Sequence, residues 1–205
     1  MFYEMSADRR RYELKERARR QLQTRRRIVD ATVALHAEVG PARTTVAEIA
    51  RRAGVSRLTV YNHFPDDLSL LGACSAQFIA SSPPPDPRPW AAISDPDARL
   101  RQALGERFLW FRANEAMLGN VGRDAALIPE LAQVLAGDDA AAYERSMRES
   151  LLAGRRLRGV RRQRVAAALG LALSFTTWQH LVRREQLDDD TTVVDILTRA
   201  VASAA

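Results

Sequence analysis

The 205-residue chain has one cysteine, Cys74, so no disulfide can close within it and thiolate-rich metal sites of the zinc-finger kind are excluded. It has no long hydrophobic run. The most apolar stretch, residues 165–175, is about half the ~20 residues a membrane span needs. The N-terminus is charged where a signal peptide would be apolar, so a cytoplasmic protein with no membrane partner is expected. There is no glycine-rich phosphate loop, no paired His/Glu metal spacing, and no evident base for Cys74. These absences argue against an enzyme of all-α type and leave no expected cofactor or metal. His36 and His180 lie within helical patterns and are expected to serve packing or solvent exposure. Sustained two-residue alternation is also missing, which leaves helices throughout, and the fold class is all-α.

Basic charge is present, and it is unevenly placed. Residues 1–64 carry 14 Lys plus Arg against 7 acids, and the remainder 17 against 18. A polyanion-facing module joined to a near-neutral body follows from that asymmetry. Ten of the basic side chains fall in residues 9–27, ending in Arg25-Arg26-Arg27. An amphipathic helix then begins, with Ile28, Ala31, Leu35 and Val39 on one face, and Gly40-Pro41 stops it. Thr45-x-x-Glu48 has capping-box spacing and opens a short helix with Val46, Ile49, Ala50 and Ala53 inward. Gly54-Val55 turns the chain, and Ser56 caps a third helix whose inward residues are Val60 and Phe64. Two short helices joined at a glycine make a helix-turn-helix. Pro65-Asp66 starts a fourth helix with Leu68, Leu71 and Phe78 as its expected buried face, ending near Ser81.

On the third helix, Arg57, Leu58, Tyr61 and Asn62 share the face opposite Val60 and Phe64. Arg pairs bidentately with guanine, Asn with adenine, and Leu packs on a thymine methyl, so Arg57, Leu58 and Asn62 are the candidate base contacts. The residues Thr44-Thr45-Val46-Ala47-Glu48-Ile49-Ala50, the Ala53-Gly54-Val55-Ser56 turn and the Thr59-to-Phe64 run resemble the DNA-binding domain of the tetracycline-repressor (TetR) family, over about residues 25–75. Gly40 and Leu70 also fit. The resemblance implies that Thr45, Ser56, Thr59, Tyr61 and His63 grip phosphates, positioning the helix without reading sequence. Ser56 is a cap first and a contact second, and for Tyr61 and His63 the alternative to a phosphate contact is helix packing. One departure stands out: Asp67 occupies a place where the family commonly carries a Lys, and a carboxylate cannot grip a phosphate. The arginine-rich segment, with Arg25, Arg26 and Arg27 as a candidate DNA arm, could offset that loss by following the backbone or entering a minor groove. The alternative is a solvated tail.

The domains read as a basic extension (1–22), a DNA-binding domain with a linking helix (23–80), a proline-rich linker (81–97) and a helical body (98–205). In the body, one helix carries Leu100, Leu104, Phe108, Phe111 and Leu118, another Tyr143, Met147 and Leu151. A helix over 165–184 is apolar on two faces, and a last one runs from Thr192 to about Ala202. Apolar surface to spare on these last two predicts subunit association, with Leu169, Leu173, Thr176, Val194, Leu197 and Val201 as candidate interface residues. The family resemblance implies a homodimer and a ligand cavity in the body. Phe108, Phe111, Met117, Tyr143, Met147, Phe175 and Trp178 are the candidates to line it, although aromatic and Met residues at helical spacing are more often plain core. The expected partners are therefore double-stranded operator DNA, a second copy and a small-molecule effector. A DNA-binding architectural or partner-docking protein without effector control is the competing expectation.

Overall fold

The computed structural model describes the backbone of residues 2–205 and the side chains of residues 12–205, and among these every regular element is helical. In chain order they are α1 (Phe2–Glu38), a 3-10 turn (Pro41–Arg43), α2 (Val46–Ala53), α3 (Arg57–His63), α4 (Asp67–Ser81), a second 3-10 turn (Pro89–Ala92), α5 (Pro96–Ala113), α6 (Glu115–Asp124), α7 (Pro129–Leu135), α8 (Asp138–Leu152), α9 (Gly159–Ala172), α10 (Phe175–Gln179), a π-helical turn (His180–Arg184) and α11 (Asp190–Ser203). Two compact units result. One holds the residues up to Ser82 together with Gly119–Val134, and the other holds Pro83–Leu118 with Leu135–Ala205.

The first unit is built on the apolar stripe of α1. Ile28, Val29, Ala31 and Leu35 pack against Ile49, Ala50 and Ala53 of α2, Val60 and Phe64 at α3, and Leu70 and Cys74 of α4. On α4 the inward phase differs from the expected one: Leu71 is buried, but Leu68 is exposed and Leu70 and Cys74 take the core positions. Asp66 caps this helix by accepting from Ser69 N at 2.7 Å, and Leu70 and Cys74 are the α4 side chains that meet the α1 stripe. The basic residues ahead of Ile28 extend α1 as one continuous helix instead of forming a tail.

The second unit has an aromatic and aliphatic core from α5, α8, α9, α10 and α11. Its proline-rich entry, expected as a linker, packs against this body. Trp90 is 1% exposed in that core and its Nε1 donates to Glu106 at 2.9 Å. The Tyr143 hydroxyl donates to the Pro85 carbonyl at 3.0 Å. The helix expected over 165–184 is broken at Ser174, with a 58° bend between α9 and the following segment. At the break the Leu173 carbonyl accepts from Arg107 Nε at 2.8 Å. The expected interface residues need correction here. Leu169, Leu173, Val194, Leu197 and Val201 are sealed inside the core of a single chain, and only Thr176 is exposed. The apolar side chains that α9 and α11 turn outward are Val160, Leu171 and Ile196. Periodicity found both faces of these helices but could not say which face a neighbouring helix of the same chain would cover. No single helix among the described residues is long and apolar enough to cross a membrane.

Candidate nucleic-acid interface

The helix-turn-helix is held by local hydrogen bonds that the sequence specifies. Thr45 accepts from Glu48 N at 3.2 Å as the N-cap of α2. Only half of the expected capping box forms, because the Glu48 carboxylate pairs with Arg51 instead of returning to Thr45. Gly54 takes the left-handed conformation (φ 65°, ψ 43°), and its N–H closes α2 onto Ala50 and Arg51. Ser56 then caps α3, accepting from Thr59 N at 3.0 Å, with its hydroxyl 2.8 Å from that of Thr59.

With Val60 and Phe64 buried, α3 turns Arg57, Leu58, Tyr61 and Asn62 outward. Leu58 and Tyr61 are 68% and 53% exposed, a state that apolar side chains adopt at interfaces. Thr45 and Ser56 are exposed beside this face, and Thr59 and His63 are half-buried. Asp67 is exposed in the first turn of α4. The arginine triplet does three different things. The Arg25 guanidinium stacks on the Phe64 ring at 4.5 Å, Arg26 pairs with Asp30 at 3.7 Å, and Arg27 reaches Thr24 while its Nη1 lies beside Gly54. All three sit on the continuous helix α1.

Sequence reasoning missed the joint between α1 and α2. Gly40 has φ +92°, and the space where a side chain would start is filled by Arg123 and Asp124 at the end of α6. Asn120 donates to the His36 and Ala37 carbonyls at 3.1 and 2.8 Å, so α6 caps the C-terminus of α1 from 83 and 84 residues away. Asp124, 1% exposed, accepts from Ala42 N at 2.9 Å, the first free N–H of the turn that leads to Thr45. Its carboxyl is held below the ordinary range, first by Arg123 and then by the Ala42 N–H, against the cost of burial. His36 lies close by, 6% exposed, and burial lowers its pKa to about 4 despite the Asp124 charge, so it is a neutral packing residue. Burial likewise pushes the Cys74 thiol up to about 12, which leaves it protonated and unreactive. His180 is exposed and lies 3.2 Å from Glu185. Among the described residues no cluster of three metal-ligating side chains exists.

In the body, the expected cavity-lining residues are mostly core. Phe108, Phe111, Met147 and Trp178 are at most 1% exposed and Met117 is buried, while Tyr143 and Phe175 are half-buried. Phe108, Phe111, Phe175 and Trp178 form a ring cluster with centroids 5.4–6.5 Å apart, Phe108 stacked on Phe111 and Phe175 edge-on to Phe111. The polar feature among them is Arg107, 8% exposed, whose guanidinium lies over Phe111, donates to Tyr143 Oη at 3.3 Å and pairs with Glu144 at 3.3 Å. The signal was present: Arg107 stands at a core-phase position between Leu104 and Phe111.

The family model for bacterial regulatory proteins of the tetR family matches residues 28–74. An uncharacterized HTH-type transcriptional regulator of Mycobacterium bovis is 46% identical over 55 residues, 27% of this chain and 29% of that protein. The HTH-type transcriptional regulator BetI of Serratia proteamaculans is 34% identical over 96 residues, 46% of this chain and 48% of that protein. The chain thus matches under a third of the mycobacterial relative and about half of the Serratia one. A solved Clostridium perfringens structure superposes with TM-score 0.62 at 17% identity, covering 87% of this chain and 98% of that one, which establishes a shared fold.

Proposed function

We infer that this chain, whose residues 28–74 belong to the tetR family of bacterial regulatory proteins, is a sequence-specific, DNA-binding transcriptional regulator in the cytoplasm and not an enzyme. The observation that carries this reading is the outward face of α3, where Arg57, Leu58 and Asn62 are presented by a helix fixed at both ends. Arg57 addresses a guanine edge, Leu58 a thymine methyl and Asn62 an adenine. Thr45, Ser56, Thr59, Tyr61 and His63 hold phosphates around them.

A monomer reads one half-site, and a homodimer matches a palindrome on one face of the duplex. Leu171 and Ile196, exposed on α9 and α11, support a subunit contact through those helices. Effector control is supported by the family resemblance and by Arg107 beside the half-buried Tyr143, a cation and a phenol ring that suit a small polar aromatic or anionic molecule. An effector that binds one arrangement of the dimer better than the other releases DNA by that difference in affinity, and repression follows from occluding a promoter.

The test is selection of the purified protein against random duplexes at two salt concentrations. A palindromic consensus retained at the higher salt is the expected result. Purely salt-driven binding with no consensus would replace this reading with an architectural DNA-binding protein.

A further inference from the structure

Helix α1 crosses the recognition unit at residues 25–27. Arg25 stacks on Phe64, the residue that caps the C-terminus of α3, and Arg27 lies beside Gly54, in the turn that leads into the start of α3. Between residues 12 and 24 no described side chain enters the core. Tyr12, Leu14 and Leu22 are 66%, 61% and 69% exposed, and among the described side chains of the helix the first buried one is Ile28. Residues 12–27 add sixteen helical positions, about 24 Å at 1.5 Å per residue, or about seven base pairs of duplex length.

We propose that this projecting segment of α1 is a rigid, sequence-independent clamp for the duplex flanking the site read by α3. The proposal rests on the DNA-binding reading above and extends it to DNA outside the half-site. Lys15, Arg17, Arg19, Arg20, Arg25, Arg26 and Arg27 stand against Glu13 and Glu16 on this stretch. They are spread around the helix, so whichever side meets the backbone offers cations. Glu16 partly occupies Arg19 and Arg20, at 3.0 and 4.0 Å, and phosphates can compete for both. Continuity with the reading face favours DNA as the occupant. A second copy of the same helix is disfavoured, because two such segments would bring seven cations against seven. The clamp also supplies the phosphate grip that Asp67 denies to α4.

The experiment uses the full chain and its selected consensus as two duplexes, the consensus alone and the consensus with ten base pairs added to each end. A second protein carries Lys15→Gln, Arg17→Gln, Arg19→Gln and Arg20→Gln, which keeps good helix formers. For the wild type, the log–log salt dependence should be steeper on the long duplex by about two to four, at about 0.9 per phosphate neutralised. The quadruple variant should lose that excess while enriching the same consensus. Equal slopes on the two duplexes overturn the clamp, as does an altered consensus, which would make the segment a base reader. A DNA-free oligomer that changes with the four substitutions also overturns it, in favour of pairing between copies. If the wild type enriches no consensus, the same two lengths of random-sequence duplex are used. Length-dependent slopes then support the clamp although the operator reading has fallen.

Discussion

The unit carrying the helix-turn-helix and the unit carrying the aromatic core are built on opposite logic. In the first, the contacts that shape the helix-turn-helix itself are local: Thr45 to Glu48, Ser56 to Thr59 and Asp66 to Ser69 each span three residues. In the second they are long-range. Arg99 donates to the carbonyls of Ile93, Ser150 and Ala153, and Arg107 to that of Leu173, so buried guanidinium groups tie together helices distant in sequence. A surface that must present fixed side chains to DNA is well served by caps and a glycine turn. A body that must hold several helices around a shared core depends on packing.

If that contrast is right, the largest stability loss comes from the body. Phe111→Ala should cost about 3–5 kcal/mol, read by denaturant unfolding, because Phe111 contacts Phe108, Trp110, Phe175 and Trp178. A loss under 1 kcal/mol would mean that the body tolerates a cavity there. The next effect is a pH dependence confined to the other unit. Because burial lowers the pKa of His36 to about 4, stability present above pH 6.5 falls as pH drops from 6.5 towards 4, by up to about 3 kcal/mol. His36→Met should remove that fall, whereas the Asp124 contribution is lost only below the ordinary carboxylate range. Parallel pH profiles for the two proteins would show His36 to be solvated.

Smaller again, Asp124→Ala should cost about 1–3 kcal/mol by leaving the Ala42 N–H without its buried acceptor. Amide exchange at Ala42 and Arg43 should speed up. Unchanged exchange would make the α6 contact incidental, and the first unit as local as its caps suggest. The mildest test concerns association: Leu171→Asp with Ile196→Asp should leave the fold intact and shift the protein from dimer to monomer in sedimentation. A dimer that survives would place the contact elsewhere.

The same contrast explains what was legible in the sequence. Caps, the glycine turn and the α3 face were readable because each is written within a few residues. The fate of residues 9–27 was not, since a run of arginines is compatible with a tail or a helix and only the α1 pattern beyond Ile28 extends one into the other. The Asn120 and Asp124 contacts to α1 and its following turn span more than 80 residues and carry no periodic signature. Arg107 marked its own burial by its phase, but its partners came from two distant places in the chain, Tyr143 with Glu144 and Leu173. For α9 and α11, hydrophobic periodicity identified the helices, yet it could not divide the core face, with Leu169 and Leu197, from the outward one, with Leu171 and Ile196.

The most direct test of the central claim, that α3 reads DNA through its outward face, is to repeat the duplex selection with Arg57→Ala and compare the consensus with that of the wild type. The account predicts a palindrome that loses its preference at one guanine in each half-site, with affinity for the wild-type consensus about 10- to 100-fold weaker and unfolding unchanged. A consensus identical at every position would contradict it, and the reading face would then lie elsewhere on the protein.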